Sequence, residues 1–117
     1  MDMEQAVPAL GALAHASRLA IFRYLVELGP EGAFPGELVE KLELAPATLS
    51  FHLKNLSHAG LIEGEQQGRY IRYRANFQQI QGLVDFLTLN CCGGDPSKCA
   101  PEVYAPARSI PVKTRTR

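Results

Sequence analysis

The chain has 117 residues, a formal net charge of zero and a hydrophobic fraction of 46%, which together predict one small domain with an aliphatic, helix-rich core. No apolar run approaches the roughly 20 residues that span a bilayer, and no basic region followed by an apolar block opens the chain. We therefore expect a soluble, cytoplasmic protein that does not contact a membrane.

Charge is unevenly distributed along the chain. Residues 1–45 and 76–107 are net acidic, whereas residues 46–75 carry four bases against two acids and residues 108–117 carry four bases and no acid. A net charge of zero argues against nucleic-acid binding, but the distribution matters more. Positive charge is concentrated in the central segment and the tail, and a symmetric dimer would double both patches.

Two helices are predicted before residue 30. Residues 3–14 indicate a helix from about Ala9, weakened by Pro8, with one apolar side that needs a partner. Ser17 is the expected N-cap of the second helix, and Gly29 ends it. The inward stripe of that helix is predicted to be Leu19, Phe22 and Val26, broadened by Ile21, Leu25 and Leu28.

A short helix and a longer one follow in close succession. Pro35 to Leu42 is predicted to form two turns, and Pro46 opens the next helix after a tight connection. On that helix Leu49, Leu53 and Leu56 share the inward face. The outward face is predicted to present Ala47, Thr48, Phe51, Lys54, Asn55 and His58, with Ser50 and His52 on its flanks. Two helices so joined are typical of a helix-turn-helix that enters the DNA major groove, although a solvated surface helix has the same pattern.

A β-hairpin is predicted after Gly60. It comprises Leu61–Glu65, a turn at Gln66-Gln67-Gly68, and Arg69–Ala75. Alternation places Tyr70, Arg72 and Arg74 on one strand face. Because a small hairpin is marginal alone, it must rest on the helices as a wing. The arginine row beside a helix-turn-helix is suited to phosphate contact; a solvated strand face is the alternative.

The last predicted helix covers residues 76–90, with Asn76 as its cap. Its apolar face consists of Phe77, Ile80, Leu83, Val84 and Leu87. This stripe and the weak first helix together suggest a dimer interface built from both chain ends, unless the last helix packs back on its own core. Residues from Val103 onward are expected to be extended or disordered, as a solubilising tail or as an extra phosphate contact.

This order of elements resembles the ArsR/SmtB family of metal-responsive bacterial repressors. The resemblance covers about residues 5–92 and rests on three blocks, ALAHASRLAIFRYLVE, LAPATLSFHLKNLSHAGLI and GRYIRYR. It implies a mainly α winged helix-turn-helix domain over residues 1–92, followed by a cysteine loop and a flexible basic tail over 93–117. It also implies a homodimer, through the first and last helices, that binds double-stranded operator DNA. The interface residues expected from the stripes and the resemblance are Leu10, Leu13, Phe77, Ile80, Val84 and Leu87.

The resemblance also implies which residues contact DNA. Those on the recognition helix are Ala47, Thr48, Ser50, Phe51 and Lys54, and those on the wing are Gln67, Arg69 and Arg72. His52 matches a common family position and is included among the DNA-binding candidates. Its flank location makes a structural hydrogen bond an equal alternative to a base contact.

Three cysteines, Cys91, Cys92 and Cys99, are the candidate sensor. The segment FPGELVEKL has no cysteine, so the arsenic site known in that helix of the family is absent, and the last helix has Asp85 but no His for a zinc site. Soft ions select thiolates, and three sulfurs without a convergent imidazole suit As(III) or Sb(III) better than tetrahedral zinc. Gly93-Gly94 would let the cysteines leave the helix and converge. No organic cofactor is predicted.

Other functions of the three thiols remain as alternatives. They are ordinary reduced thiols on a tail, a redox switch in which two of them form a disulfide, or a thiol metallochaperone or enzyme. No base or orienting acid lies near the cysteines in sequence, and no phosphate-binding loop or paired-carboxylate motif is present, so an enzyme is not expected. The resemblance favours an arsenic-responsive repressor.

Overall fold

The computed structural model describes residues 1–98, and over that range the protein is mainly α with a small hairpin, as predicted. The elements in chain order are α1 Met3–Leu13, α2 Ala16–Leu28, α3 Pro35–Leu42, α4 Pro46–His58, β1 Ile62–Gln67, β2 Tyr70–Ala75 and α5 Phe77–Leu87. The chain divides into two units, Met1–Leu87 and Thr88–Arg117. Cys99 and the basic tail lie outside the described residues. No described helix combines the length and the apolar character needed to cross a membrane.

The first helix begins earlier than the sequence predicted. Asp2 Oδ1 accepts a hydrogen bond from the backbone N–H of Gln5 at 3.0 Å, and Gln5 Oε1 accepts one from the N–H of Asp2 at 3.1 Å. This capping box starts α1 at Met3 and offsets the weakening effect of Pro8. The expected start near Ala9 was therefore wrong. The helix buries its small side chains, Ala6, Ala9 and Ala12.

The second helix also differs in its cap and in its buried face. Its N-cap is His15, whose Nδ1 accepts from the N–H of Ser17 at 3.2 Å, so the prediction of Ser17 as the cap was wrong. The helix buries Ile21, Phe22 and Leu25. Leu19 and Val26, which we expected inside, are 43% and 37% exposed. Gly29 ends the helix with φ +71°, as predicted.

The predicted helix-turn-helix is present. Both α3 and α4 open on the predicted prolines, Pro35 and Pro46, and Glu43 takes a left-handed φ of +56° to end α3. The predicted inward face of α4 is confirmed, because Leu49, Leu53 and Leu56 are at most 3% exposed, and Leu38 of α3 is also buried. They form one core with Ile21, Leu25 and Leu61.

The hairpin turn is shorter than predicted. Gln67 pairs with Tyr70, which leaves Gly68 and Arg69 as a two-residue turn instead of Gln66-Gln67-Gly68. Gly68 has φ +64° while Arg69 does not have a positive φ, which matches a type II′ turn. At the other end, Ala33 forms a bridge to Tyr73, so the loop before α3 supports the wing.

The last helix is capped as predicted but is shorter. Asn76 Oδ1 accepts from the N–H of Gln79 at 3.3 Å, and α5 ends at Leu87, not at residue 90. Leu83 is 3% exposed and joins the core, while Ile80 and Phe86 are half-buried against it. The helix therefore packs on its own unit with one face and exposes the other.

Candidate nucleic-acid interface and cysteine loop

Helix α4 presents an exposed face without acidic side chains. Its sequence, PATLSFHLKNLSH, contains no Asp or Glu, so the helix adds no repulsion to a polyanion. Of the residues predicted to contact DNA there, five are exposed, namely Ala47, Thr48, Ser50, Phe51 and Lys54. Lys54 supplies a positive charge, and Phe51 is 61% exposed.

His52 is not on that exposed face. It is 5% exposed, and its Nδ1 lies 3.3 Å from Nη1 of Arg18 on α2. The ring of His15 packs against it with centroids 4.7 Å apart. Of the two roles left open for His52, the structure therefore supports the hydrogen bond and gives its side chain no exposed surface for a base contact.

Arg18 holds this cluster in place. Its Nε donates to the carbonyl oxygen of Ala12 at 2.7 Å, while its Nη1 approaches His52. One guanidinium thus joins the end of α1, α2 and the buried side of α4. Sequence periodicity did not reveal this link, because the two side chains are 34 positions apart.

The wing arginines have three different environments. Arg74 forms an ion pair with Glu65 at 3.1 Å, so its charge is compensated. Arg72 donates from Nη1 to the carbonyl oxygen of Glu31 at 2.7 Å and from Nε to Gln67 Oε1 at 3.2 Å. Arg69 is exposed in the turn. The three arginines of the wing are therefore not equivalent as phosphate ligands.

Arg72 also has a structural role at the base of the wing. Its guanidinium lies over the ring of Phe34, 4.5 Å from the centroid, which is close enough for a cation–π interaction. Tyr70 approaches the same ring in an edge-to-face arrangement at 6.2 Å. One of the five donors of Arg72 thus joins the wing to the loop before α3, a second donates to Gln67 within the wing, and three remain for another acceptor.

Two side-chain amides connect α5 to the end of α4, which the sequence did not predict. Asn76 Nδ2 donates to the carbonyl oxygen of Gly60 at 3.0 Å, and Gln79 Nε2 donates to that of Ala59 at 3.1 Å. The backbone N–H of Asn76 also donates to Leu61 at 2.8 Å. These bonds satisfy the carbonyl of Ala59, which is the C-cap of α4, and the carbonyls of the two residues that follow it.

Apolar side chains of α1 and α5 remain exposed. Among the predicted interface residues, Leu10 is 41%, Phe77 43%, Val84 47% and Leu87 59% exposed, while Leu13 and Ile80 are half-buried. Met3 and Val7, which the prediction omitted, are 64% and 58% exposed. Residues 3, 7 and 10 on α1, and 77, 80, 84 and 87 on α5, follow the three-and-four spacing of a helical contact stripe.

The cysteine segment bends away from helical geometry. Asn90 and Cys92 have left-handed φ values of +59° and +56°, and Gly93 and Gly94 continue at +71° and +87°. The Sγ atoms of Cys91 and Cys92 lie 3.6 Å apart. Two consecutive residues in a regular helix point about 100° apart, so the bend is what brings the two sulfurs together.

The loop after the cysteine pair is closed by Asp95. Its Oδ1 accepts from the hydroxyl of Ser97 at 2.7 Å and from the N–H of Ser97 at 3.0 Å. The hydroxyl first, and then the backbone N–H, lower the pKa of Asp95 below its ordinary value. A carboxylate thus stays ionised at this turn.

The oxidation states of the two described cysteines differ. Cys92 is disulfide-bonded, whereas Cys91 carries a thiol. Within residues 1–98, no three His, Cys, Asp or Glu side chains lie together in an arrangement that could hold a metal ion. The predicted third ligand, Cys99, is beyond that range.

Comparisons with known proteins identify the family. A protein-family model described as a helix-turn-helix domain matches residues 13–65 of the sequence. An uncharacterised helix-turn-helix-type transcriptional regulator, YbzH of Bacillus subtilis, is 31% identical over 88 residues, covering 65% of this chain and 88% of that protein. An arsenical resistance operon repressor from the same bacterium is 36% identical over 73 residues, covering 62% of this chain and 68% of its own.

A solved structure agrees with these relatives. An ArsR-like transcriptional regulator from Rhodococcus sp. RHA1 is 25% identical, with a TM-score of 0.64, and the match covers 93% of this chain and 95% of that one. The chain belongs to the ArsR family of winged helix-turn-helix transcriptional regulators.

Membership of the ArsR family settles the class of function. The family and the fold are those of DNA-binding transcriptional regulators and not of enzymes. A further fold relative, at 21% identity and a TM-score of 0.61, is the homodimeric winged helix-turn-helix domain Mb0332 of Mycobacterium bovis. Helix α4 is the second helix of this ArsR-family helix-turn-helix, which is the helix that such proteins place in the major groove.

Proposed function

We propose that the protein is a homodimeric repressor that leaves its operator when As(III), or Sb(III), binds Cys91, Cys92 and Cys99. The carrying observation is the 3.6 Å separation of the Cys91 and Cys92 sulfurs. The arsenical resistance operon repressor at 36% identity supports the choice of signal. The exposed face of α4 and the Arg69 turn supply the proposed DNA contacts.

The sulfur spacing fits chelation of one soft centre. Two thiolates about 2.3 Å from one ion, with an angle between about 100° and 110° at that ion, lie about 3.5–3.8 Å apart. The observed 3.6 Å falls in that interval. The left-handed residues Asn90 and Cys92 bring the two sulfurs together, and the spacing is that of the form in which Cys92 is disulfide-bonded.

Metalloid binding requires the reduced form. Because Cys92 is disulfide-bonded in the structure, a thiol reductant must first supply the two electrons and two protons that convert that bond to two thiols. Each thiol then loses its proton as the sulfur binds As(III). Thiolate ligands are the class that soft ions select, and the carboxylate of Asp95 is a harder ligand that does not compete for such a centre.

The exposed stripes of α1 and α5 support a homodimer. Val7, Leu10, Phe77 and Leu87 are each more than 40% exposed, and a second copy of the chain would cover such side chains with an identical surface. Two recognition helices related by a two-fold axis would then read two half-sites about 34 Å apart, or a multiple of that distance.

In the proposed dimer, α5 connects the cysteine segment to the recognition helices. The chain passes from α5 into the cysteine segment, and α5 contributes both to the proposed interface and, through Asn76 and Gln79, to the end of α4. A change in α5 on metalloid binding would alter the spacing of the two recognition helices. A coupling free energy of about 1–3 kcal/mol would weaken operator binding by about 5–150-fold.

Single Cys→Ser variants test the proposal. Fluorescence anisotropy would measure binding to the palindromic DNA fragment upstream of the protein's own gene, under reducing conditions and with increasing arsenite. Each of Cys91→Ser, Cys92→Ser and Cys99→Ser should bind the fragment with unchanged affinity and should no longer respond to arsenite. If two of the three cysteines prove dispensable, the three-thiolate site is wrong.

A thiol/disulfide redox sensor is the second candidate, and the disulfide of Cys92 is the observation that favours it. In this reading a peroxide oxidises two thiols to a disulfide and is itself reduced, and the oxidised dimer leaves the operator. Mild peroxide would then release the DNA while arsenite would not. The opposite pair of results supports the metalloid sensor. The metallochaperone reading has no structural observation in its favour.

A further inference from the structure

Phe51 is an unusual residue to find exposed on this helix. The residue is 61% exposed, and no other large apolar side chain of α4 is exposed. Solvent exposure of an aromatic ring forgoes much of the free energy that its burial would contribute. Neither the core nor the exposed stripes of α1 and α5 use this ring, so its position needs a separate explanation.

The structure holds the turn that carries Phe51 from two sides. Asn55 Nδ2 donates to the carbonyl oxygen of Phe51 at 3.0 Å on the exposed side. On the buried side, His52 is fixed by Arg18, and its ring lies 5.8 Å from the ring of Phe51. The aromatic ring is therefore presented from a fixed backbone.

We propose that Phe51 reads thymine, by packing its ring against the C5-methyl group in the major groove of the operator. Thymine is the base that presents an apolar group in this groove, and Phe, Ala and the Thr methyl are side chains that contact it. This inference rests on the DNA binding of the proposed function and is independent of the signal that releases the DNA.

The neighbours of Phe51 favour a methyl group over a polar base edge. Ala47 and Thr48 precede it by four and three positions, and residues at these separations lie side by side on a helix surface. Together they form a small apolar patch with one hydroxyl. Lys54 lies three positions beyond Phe51 and is the charged side chain of this face, suited to a phosphate or a guanine. We therefore expect a thymine under Phe51 in each half-site.

Uracil substitution tests this contact. The upstream palindromic fragment is synthesised with each thymine of both half-sites replaced in turn by 2′-deoxyuridine, which removes the methyl group and keeps the base pair. Anisotropy without arsenite measures the affinity of the full chain. At one symmetric position we expect a loss of about fourfold when one half-site is changed, and of about fifteenfold when both are, from the usual contribution of one buried methyl group.

Variants assign the loss to Phe51. Phe51→Ala should bind the thymine fragment more weakly and should show no further loss on uracil substitution at that position. Phe51→Leu keeps an apolar contact, so this variant should again lose part of its affinity when the thymine is replaced by uracil. Lys54→Ala is the matched control on the same face. It should weaken binding to the thymine and uracil fragments equally, so that the difference in affinity between them stays as in the wild type.

Two results would overturn the inference. One is a uracil scan in which no position matters to the wild-type protein. The other is a uracil penalty that persists undiminished in Phe51→Ala, because the methyl group would then be read by another side chain. Either result leaves the release by arsenite unaffected, so the failure of this inference and the failure of the proposed function are distinguishable.

Discussion

The Nη1 atom of Arg18 on α2 lies 3.3 Å from the Nδ1 atom of His52 on α4. Because a guanidinium only donates hydrogen bonds, Nδ1 accepts this one and His52 is neutral when the bond forms. Burial, followed by the charges of His15 and Arg18, lowers the pKa of His52 below its ordinary value. Proton uptake by His52 would break the bond and place a new positive charge beside Arg18.

This relationship predicts a pH dependence of stability. Because folding lowers the pKa of His52, its contribution is fully present above the unfolded value of about 6.5 and is lost as the pH falls from there toward the folded value. Urea unfolding at a series of pH values would measure it. His52→Gln, which is neutral throughout, should flatten the profile below about pH 6.5. His58→Gln is the control, since His58 is exposed on the same helix; equal flattening there would contradict the assignment.

Two arginines of the wing, Arg69 and Arg74, are expected to differ in how much they contribute to the salt dependence of DNA binding. Arg69 is exposed in the hairpin turn, so Arg69→Ala should reduce the slope of log affinity against log salt by about one unit, because one cation no longer neutralises a phosphate. Arg74 is already paired with Glu65 at 3.1 Å, and Arg74→Ala should leave the slope nearly unchanged. Operator titrations at several salt concentrations would measure both slopes. Identical slopes for Arg69→Ala and wild type would remove the turn from the DNA interface.

Substitution of Gly32 by alanine is expected to cause a large loss of stability. Gly32 has φ +61° and ψ −156°, a region essentially restricted to glycine. A Cβ there would lie 2.0 Å from the carbonyl oxygen of Tyr73, which accepts the bridge hydrogen bond from Ala33 at 2.8 Å. Gly32→Ala should lower the free energy of unfolding by at least about 2 kcal/mol. Gly36→Ala, where a Cβ would meet nothing within 4 Å, should change it little.

The hydrogen bond from Gln79 of α5 to the Ala59 carbonyl at the end of α4 is expected to contribute both to stability and to operator affinity. Gln79→Glu replaces the donor to the Ala59 carbonyl by a carboxylate, and the mismatched, partly buried groups should cost about 1–3 kcal/mol of unfolding free energy. Because that carbonyl ends the recognition helix, operator affinity should fall as well. Gln78→Glu adds the same charge at the neighbouring exposed position. If both variants behave alike, the effect belongs to charge and not to the link.

Periodicity predicted the elements because each is encoded within a few residues. The Leu49, Leu53 and Leu56 stripe, the two opening prolines and the Gly29 cap are local signals, and the structure confirms all of them. The ends of helices were less predictable. Asp2 and Gln5 start α1 although a proline lies inside the helix, and His15 caps α2 although Ser17 is the commoner cap residue.

The site was predictable only where it depends on exposure of a helix face. Phe51 and Lys54 could be placed outward from spacing alone. The burial of His52 and the anchoring of Arg72 could not, since their partners Arg18 and the Glu31 carbonyl are 34 and 41 positions away. Such contacts depend on packing of distant segments, which a single sequence does not encode in its spacing. The closeness of the Cys91 and Cys92 sulfurs similarly depends on left-handed backbone at two non-glycine residues.

The boundary at Leu87 has a consequence for how such a regulator can change its signal. The helices and wing proposed to read DNA end there, and Cys91 and Cys92 come after it. In the proposed function, the residues that contact the operator and the residues that bind the inducer are thus encoded in consecutive, non-overlapping parts of the gene. On that proposal, replacing the part that begins at Thr88 would change the chemical to which a reporter strain responds, while the promoter that it controls stays the same.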